Sequence, residues 1–128
     1  MPEIEMLPSE TTRLVEDAET AELYSRLFFA LANPTRVRIV LTLMDGERTV
    51  SQLTQLLEVS QSQVSNQLTC LRWCGFVQAR REGRRAYYTL ADARVRRLLE
   101  VAGEIIQAHG ARLNTCPRIQ PAESTSNP

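Results

Sequence analysis

The stretch from Ser51 to Ala91 leaves this chain few folds to choose from. It holds two short helical segments, SQLTQLLE and QSQVSNQLTCLRW, separated only by a tight turn at Val59-Ser60. Two β-type runs follow, FVQARRE and RAYYTLA, joined at Gly83-Arg84. Thr49 or Ser51 is placed to cap the first helix, and Gly75 stands where a helix over Gln61 to Trp73 needs a C′ residue free to turn left-handed. Strand-type runs around a short glycine-containing loop are the signature of a β-hairpin. Val64 and Leu68 recur at helical spacing and are expected to face a core, leaving their polar neighbours outside.

The flanks complete the pattern. Glu19 to Leu31 carries Leu23, Leu27, Phe28 and Leu31 as a helical stripe, and Ala32-Asn33-Pro34 breaks it. Pro34 is suited to open the next helix. That helix, Thr35 to Met44, is expected to bury Val37, Ile39, Val40, Leu41 and Leu43 and to end at Asp45-Gly46. A last helix spans roughly Asp92 to His109, with Val95, Leu98, Leu99, Val101, Ala102, Ile105 and Ile106 as its apolar face. The expected fold is therefore mainly α with a small β-hairpin, a winged helix-turn-helix. The last helix has more apolar surface than so small a core can cover, so with the N-terminal helix it is a candidate dimer face. Such modules work as twofold dimers on palindromic sites. The expected organisation is an acidic flexible N-terminus over 1–17, a DNA-binding and dimerisation domain over 18–109, and a flexible C-terminal tail over 110–128 that carries Cys116.

A net charge of zero conceals an asymmetry. Residues 1–22 hold seven acids and one Arg, whereas residues 60–97 hold eight Arg against Glu82 and Asp92. A local basic cluster is the footprint of a polyanion partner whatever the overall isoelectric point. In a helix-turn-helix the N-terminal part of the second helix enters the major groove. Here it offers Gln61, Ser62, Gln63, Ser65, Asn66 and Gln67. Gln and Asn can pair bidentately with adenine, and Ser bonds several base edges. A plain solvated helix face is the alternative, weakened by six such residues directly after a helix-turn pattern. Arg80, Arg81, Arg84 and Arg85 flank the hairpin tip, where phosphate or minor-groove contact is the natural role. Tyr87 and Tyr88 are expected to pack the wing on the core.

With LANPTRVRIVLTLMDGE, SQLTQLLEVSQSQVSNQLTCLRWCGFV and VQARREGRRAYYTL, the chain resembles the ArsR/SmtB family of metal-sensing winged-helix repressors over roughly residues 20–106. The resemblance implies a homodimer that represses by binding double-stranded operator DNA and leaves it when an inducer binds.

Cys70 and Cys74 lie one helical turn apart, projecting roughly 40° from one another and ~6 Å apart along the axis, so both sulfurs can reach one soft ion. Specific binding needs a third ligand, and Cys116 lies past the last helix in a segment that can close over the pair. Three thiolates without a firm fourth ligand favour Cd(II), Pb(II) or As(III) over tetrahedral structural zinc. The plain alternative is two small buried hydrophobes. Within the family, L-T-C-L-R-W-C-G is similar to the motif of the CmtR-type cadmium and lead sensors, which implies metal ligation by Cys70, Cys74 and Cys116. Other family sites are not matched. VSQLTQLL lacks a Cys-x-Cys, and Asp92-Ala93-Arg94 stands where zinc sensors carry Asp-x-His. His109, the only histidine, reads as a helix-end residue favoured by the dipole, or as an accessory ligand.

The expected function is that of a metal-responsive transcriptional repressor. The metal-free homodimer holds its operator and is released when Cd(II) or Pb(II) binds, derepressing resistance or efflux genes. Zn(II) and As(III) are further candidate inducers, and no organic cofactor is expected. The alternative is a thiol-redox or As(III)-responsive repressor on the same fold, since Arg72 beside the cysteines can lower a thiol pKa. There is no nucleophile–base pair, phosphate loop or paired catalytic carboxylate to support an enzyme. No apolar run approaches the ~20 residues of a membrane span. The expected location is the cytoplasm, where the three cysteines stay reduced.

Overall fold

Asp17, Asn33, Thr49, Ser60 and Asp92 each stand directly before a helix, and each side chain accepts a backbone N–H from that helix's first turn. Those first-turn donors have no partner within the helix, so short polar side chains at these positions set where the helices begin. The computed structural model describes residues 17–119. Within them the order is α1 (Ala18–Ala30), α2 (Pro34–Leu43), α3 (Val50–Leu57), α4 (Gln61–Trp73), β1 (Val77–Glu82), β2 (Arg85–Leu90) and α5 (Ala93–Thr115). This is the expected winged helix-turn-helix. Residues 1–16 and 120–128, most of the expected N-terminal segment and the end of the expected tail, lie outside the described residues.

Thr49 makes a full capping box: its hydroxyl accepts from Gln52 N–H, and the Gln52 side chain accepts from Thr49 N–H. The turn between α3 and α4 uses Glu58 in the left-handed region, at φ 56°. The far end of α4 is closed by a Schellman arrangement. Gly75 at φ 84° donates to the Arg72 carbonyl, and Phe76 N–H reaches back to Leu71 O at 2.9 Å. Phe76 thereby joins Leu71 in the core, so the stop signal and the hydrophobic contact are one device.

β1 and β2 pair antiparallel from Val77↔Leu90 to Glu82↔Arg85. Gly83, at φ 63°, takes the first of the two loop places, the glycine position of a tight hairpin turn. The structure adds one contact that periodicity did not signal. Arg48 pairs with Tyr88 through two backbone hydrogen bonds of 3.1 and 2.8 Å, fastening the wing to the segment before α3.

The core gathers Ile39, Val40 and Leu43 of α2, Leu53 and Leu57 of α3, and Val64, Leu68 and Leu71 of α4, with Phe76, Val77 and Val95 closing it. Tyr88 and Leu90 pack the wing against it, as expected for Tyr88. Leu41 departs from expectation and is exposed, because it falls on the far side of α2 from the stripe Ile39–Val40–Leu43. The outer helices bury little of their own. α1 has no buried residue, and α5 has only Val95. Leu23, Tyr24, Phe28 and Phe29 of α1 and Val101, Ile105 and Ile106 of α5 are exposed, the unsatisfied apolar surface anticipated from the pattern.

α5 runs further than its composition indicates. His109 leaves helical geometry, at φ −130° and ψ 15°, yet the helix resumes to Thr115 and Cys116 is its C-terminal cap residue. Gly110 reads as a stop, but Ala111, Arg112 and Leu113 are good helix formers and carry the helix past it. The expected tail boundary at residue 110 therefore falls inside a kinked helix. No helix among the described residues is long and apolar enough to cross a membrane.

A Cβ on Gly75 would meet nothing within 4 Å, so Gly75→Ala tests the backbone alone. It should destabilise the protein by about 1–2 kcal/mol through the left-handed penalty. Urea unfolding would show this, and an unchanged midpoint would refute the Schellman assignment.

Candidate DNA-reading helix and thiol pair

Val64, Leu68 and Leu71 lie at successive turns of α4 and are completely buried or nearly so, which fixes the rotation of the helix about its axis. Ser62, Asn66, Thr69 and Trp73 consequently point away from the core, and all four are exposed. Of the six residues expected to read bases, Gln61, Ser62, Gln63 and Asn66 are exposed, while Ser65 and Gln67 are half-buried on the flanks. Trp73 is 91% exposed at the end of the same face.

The wing arginines divide into two groups. Arg80, expected at the polyanion face, is engaged within the protein. It pairs with Glu47 at 2.6 Å and Glu82 at 2.9 Å, and its guanidinium lies 4.8 Å from the centre of the Tyr87 ring. Sequence proximity shows Glu82, but Glu47 arrives only through the fold. These contacts set two carboxylates and an aromatic ring against Arg80. Arg81, Arg84 and Arg85 have no ion pair among the described residues. With Thr49, Val50, Ser51 and Gln52 they line an open concavity of about 430 Å³. Free guanidinium groups face the N-terminal end of α3 there, where backbone N–H groups and the helix dipole also favour an anion. The α3 contribution was missed from sequence, although the Thr49 capping box marks the helix start.

The thiols sit on the flank of α4 that turns toward α2. Gln63, Gln67, Cys70 and Cys74 follow at i, i+4, i+7 and i+11, one continuous stripe. Cys70 is half-buried and Cys74, the cap residue of α4, is exposed; both are free thiols. Partial burial pushes the Cys74 thiol above its ordinary pKa, and the neighbouring Cys70, with which it shares a hydrogen bond, pushes the same way. Arg36 of α2 acts in the opposite direction. Arg36 is the residue that sequence reasoning missed: its Nη1 donates to Gln67 Oε1 at 3.1 Å and to Cys70 Sγ at 3.6 Å.

Two adjacent sulfurs are soft donors suited to a soft cation. Cys116 does not complete them within one chain, since no cluster of three His, Cys, Asp or Glu side chains able to hold a metal occurs among the described residues. His109 is exposed at the α5 kink. Asp92 is committed elsewhere. It caps α5 and is gripped by the Arg94 guanidinium at 2.7 to 3.2 Å, which holds its carboxyl down to about 2.

Comparison with known proteins matches residues 33–79 to the model described as bacterial regulatory protein, arsR family. The chain is 48% identical over 83 residues to the HTH-type transcriptional regulator CmtR of Mycobacterium bovis, covering 65% of this chain and 68% of that protein. It is 39% identical over 95 residues to a probable mercury resistance operon repressor of Streptomyces lividans, covering 74% and 76%. In structure it resembles the homodimeric winged helix-turn-helix DNA-binding domain of a possible ArsR-family transcriptional regulator from Mycobacterium bovis. The TM-score is 0.65 and the identity 34%, over 73% of this chain and 89% of that one.

Because the thiolate is the reacting form, a raised pKa lowers reactivity near neutral pH. The pH midpoint for alkylation of Cys74 in the folded protein should lie above that of the urea-unfolded chain, near the ordinary value of about 8.5. Cys70→Ser should lower it. Mass spectrometry of iodoacetamide-treated protein reads both, and a folded midpoint at or below the unfolded one contradicts the assignment.

Proposed function

The chain belongs to the arsR family of bacterial regulatory proteins, a family of DNA-binding transcriptional regulators rather than enzymes, and on that premise we propose that it is a cytoplasmic repressor whose hold on operator DNA is broken by a thiophilic metal ion. One observation carries this reading. The helix that exposes Ser62, Gln63 and Asn66 also carries the neighbouring thiols Cys70 and Cys74, one turn apart. Any rearrangement of the thiols acts on the element that meets the bases.

α4 enters the major groove, with Gln61, Ser62, Gln63 and Asn66 at the base edges and Ser65 and Gln67 at its flanks. Arg81, Arg84 and Arg85 take phosphates at the wing, beside the start of α3. Arg80 braces the wing through Glu47 and Tyr87 and contributes less to the DNA. Two copies associate through the exposed apolar faces of α1 and α5, an assembly supported by the homodimeric relative. The twofold axis then sets two α4 helices against a palindromic site.

Cys70, Cys74 and Cys116 are the ligands we assign to the inducing ion. Cd(II) or Pb(II) is the first choice, with Zn(II) and As(III) as weaker candidates; the resemblance to CmtR supports this. When bound, the ion supplies a cross-link among thiolates and displaces their protons. An ion bound at Cys74 would displace the thiol proton into solvent, and because that thiol is harder to ionise than usual, occupancy should increase with pH. Cys116 has to be brought to the pair, from its own helix end or from the second copy. That the pair stands without a third sulfur within one chain favours a second inducer, Hg(II), which needs only two thiolates. The mercury operon repressor among the relatives points the same way. A redox sensor is less well supported, because oxidants select thiols of lowered pKa and Cys74 is shifted the other way.

Cys70→Ser and Cys74→Ser should each leave operator binding in place and remove cadmium-induced release, measured by fluorescence anisotropy of labelled operator. Undiminished release in either variant refutes the metal assignment. Loss of Cys116 should abolish the response to cadmium but spare that to mercury if two thiolates suffice for mercury.

For the wing, Arg84→Ala should lower the slope of log K against log salt by about one. Arg80→Ala should change that slope by less, since its charge is matched by Glu47 and Glu82. Equal slope changes would show Arg80 to be a phosphate ligand after all.

A further inference from the structure

Arg36 occupies a position that local energetics do not explain. It is the third residue of α2, with its backbone N–H capped by Asn33 Oδ1 at 3.1 Å. A cation there faces the positive end of the helix dipole, the unfavourable end. It is half-buried, yet no carboxylate lies within ion-pair distance among the described residues. Its Nε is buried without a hydrogen-bond partner, a costly condition for a charged donor. What it does have is one nitrogen, Nη1, shared between two acceptors on α4: Gln67 Oε1 at 3.1 Å and Cys70 Sγ at 3.6 Å.

We propose that Arg36 is the positioning residue that transmits the state of the thiol pair to the DNA-reading face, by holding the Gln67 amide and the Cys70 sulfur through the same nitrogen. This rests on the metal-responsive reading above and names the part that couples its two halves. Nη1 carries two N–H groups and serves both acceptors at once, so the amide and the sulfur are fastened to one guanidinium. The Gln67 bond orients the amide and leaves its NH₂ as the group turned to other partners. An ion bound at Cys70 would displace that sulfur, and with it the guanidinium that orients Gln67. Gln67 and Gln63 are one turn apart on the same stripe, so the disturbance arises within the DNA-reading surface itself.

The test is the ratio of operator affinities without and with Cd(II), measured beside the thiolate-to-metal absorption band. Arg36→Gln retains both sulfurs, so the band should still develop, while the affinity ratio should fall about fivefold or more from the wild-type value. Gln67→Ala reads the same link from its other end on a fold with Arg36 intact, and it should reduce the ratio similarly. The double variant should lose no more than either single one. A wild-type ratio retained in Gln67→Ala, or in a folded Arg36→Gln, overturns the link while leaving the metal reading standing. A wild-type protein that shows the band but no release overturns both.

Discussion

The buried stripe Val64–Leu68–Leu71 is the constraint on which the rest depends. These side chains are sealed into a core built by α2, α3 and α4, and truncating one such leucine typically costs 2–5 kcal/mol. That penalty prevents α4 from rolling about its axis. With the roll fixed, Ser62, Asn66 and Thr69 must face outward, and Gln67 and Cys70 must face α2. The two jobs proposed for the helix are thus separated by angle and not by length. The Schellman stop at Gly75, which sends Phe76 back into the same core, sets where that geometry ends and the wing begins.

Charge is arranged with the same economy. The wing exposes several arginines, but a two-stranded hairpin has little rigidity of its own. Arg80 supplies it by joining Glu47, Glu82 and the Tyr87 ring, while the Arg48–Tyr88 bridge ties the base of the hairpin to the loop before α3. Such exposed ion pairs contribute little stability individually; their value here is direction. Among the described residues Arg81, Arg84 and Arg85 are left without an ion pair beside the start of α3, where an anion would meet both guanidinium and backbone donors.

Much of this was legible in the chain. The break at Asn33-Pro34, the cap at Thr49, the turn at Val59-Ser60, the glycine at 75, the core spacing of Val64 and Leu68, and the hairpin around Gly83 are all local signals, and the structure follows them closely. The apolar excess on α1 and α5 was equally plain. The misreadings have local causes too. Leu41 sits among apolar neighbours in a helix whose buried arc is narrow, and Gly110 looks like a stop although the residues after it carry the helix on to Thr115. Cysteine spacing identified a thiol pair but gave no information on whether Cys116 reaches it.

What the sequence by itself determined is the order of elements, the caps that bound them, and which face of α4 is apolar, because hydrophobic period and capping act over a turn or two of chain. What only the tertiary structure decided is which charged groups meet across the fold: Arg80 with Glu47, 33 residues apart, and Arg36 with Gln67 and Cys70, 31 and 34 residues apart. Those partnerships follow from how α2 crosses α4 and where the wing folds back. Helix crossing is set by the packing of whole side-chain rows, which no short window of sequence contains.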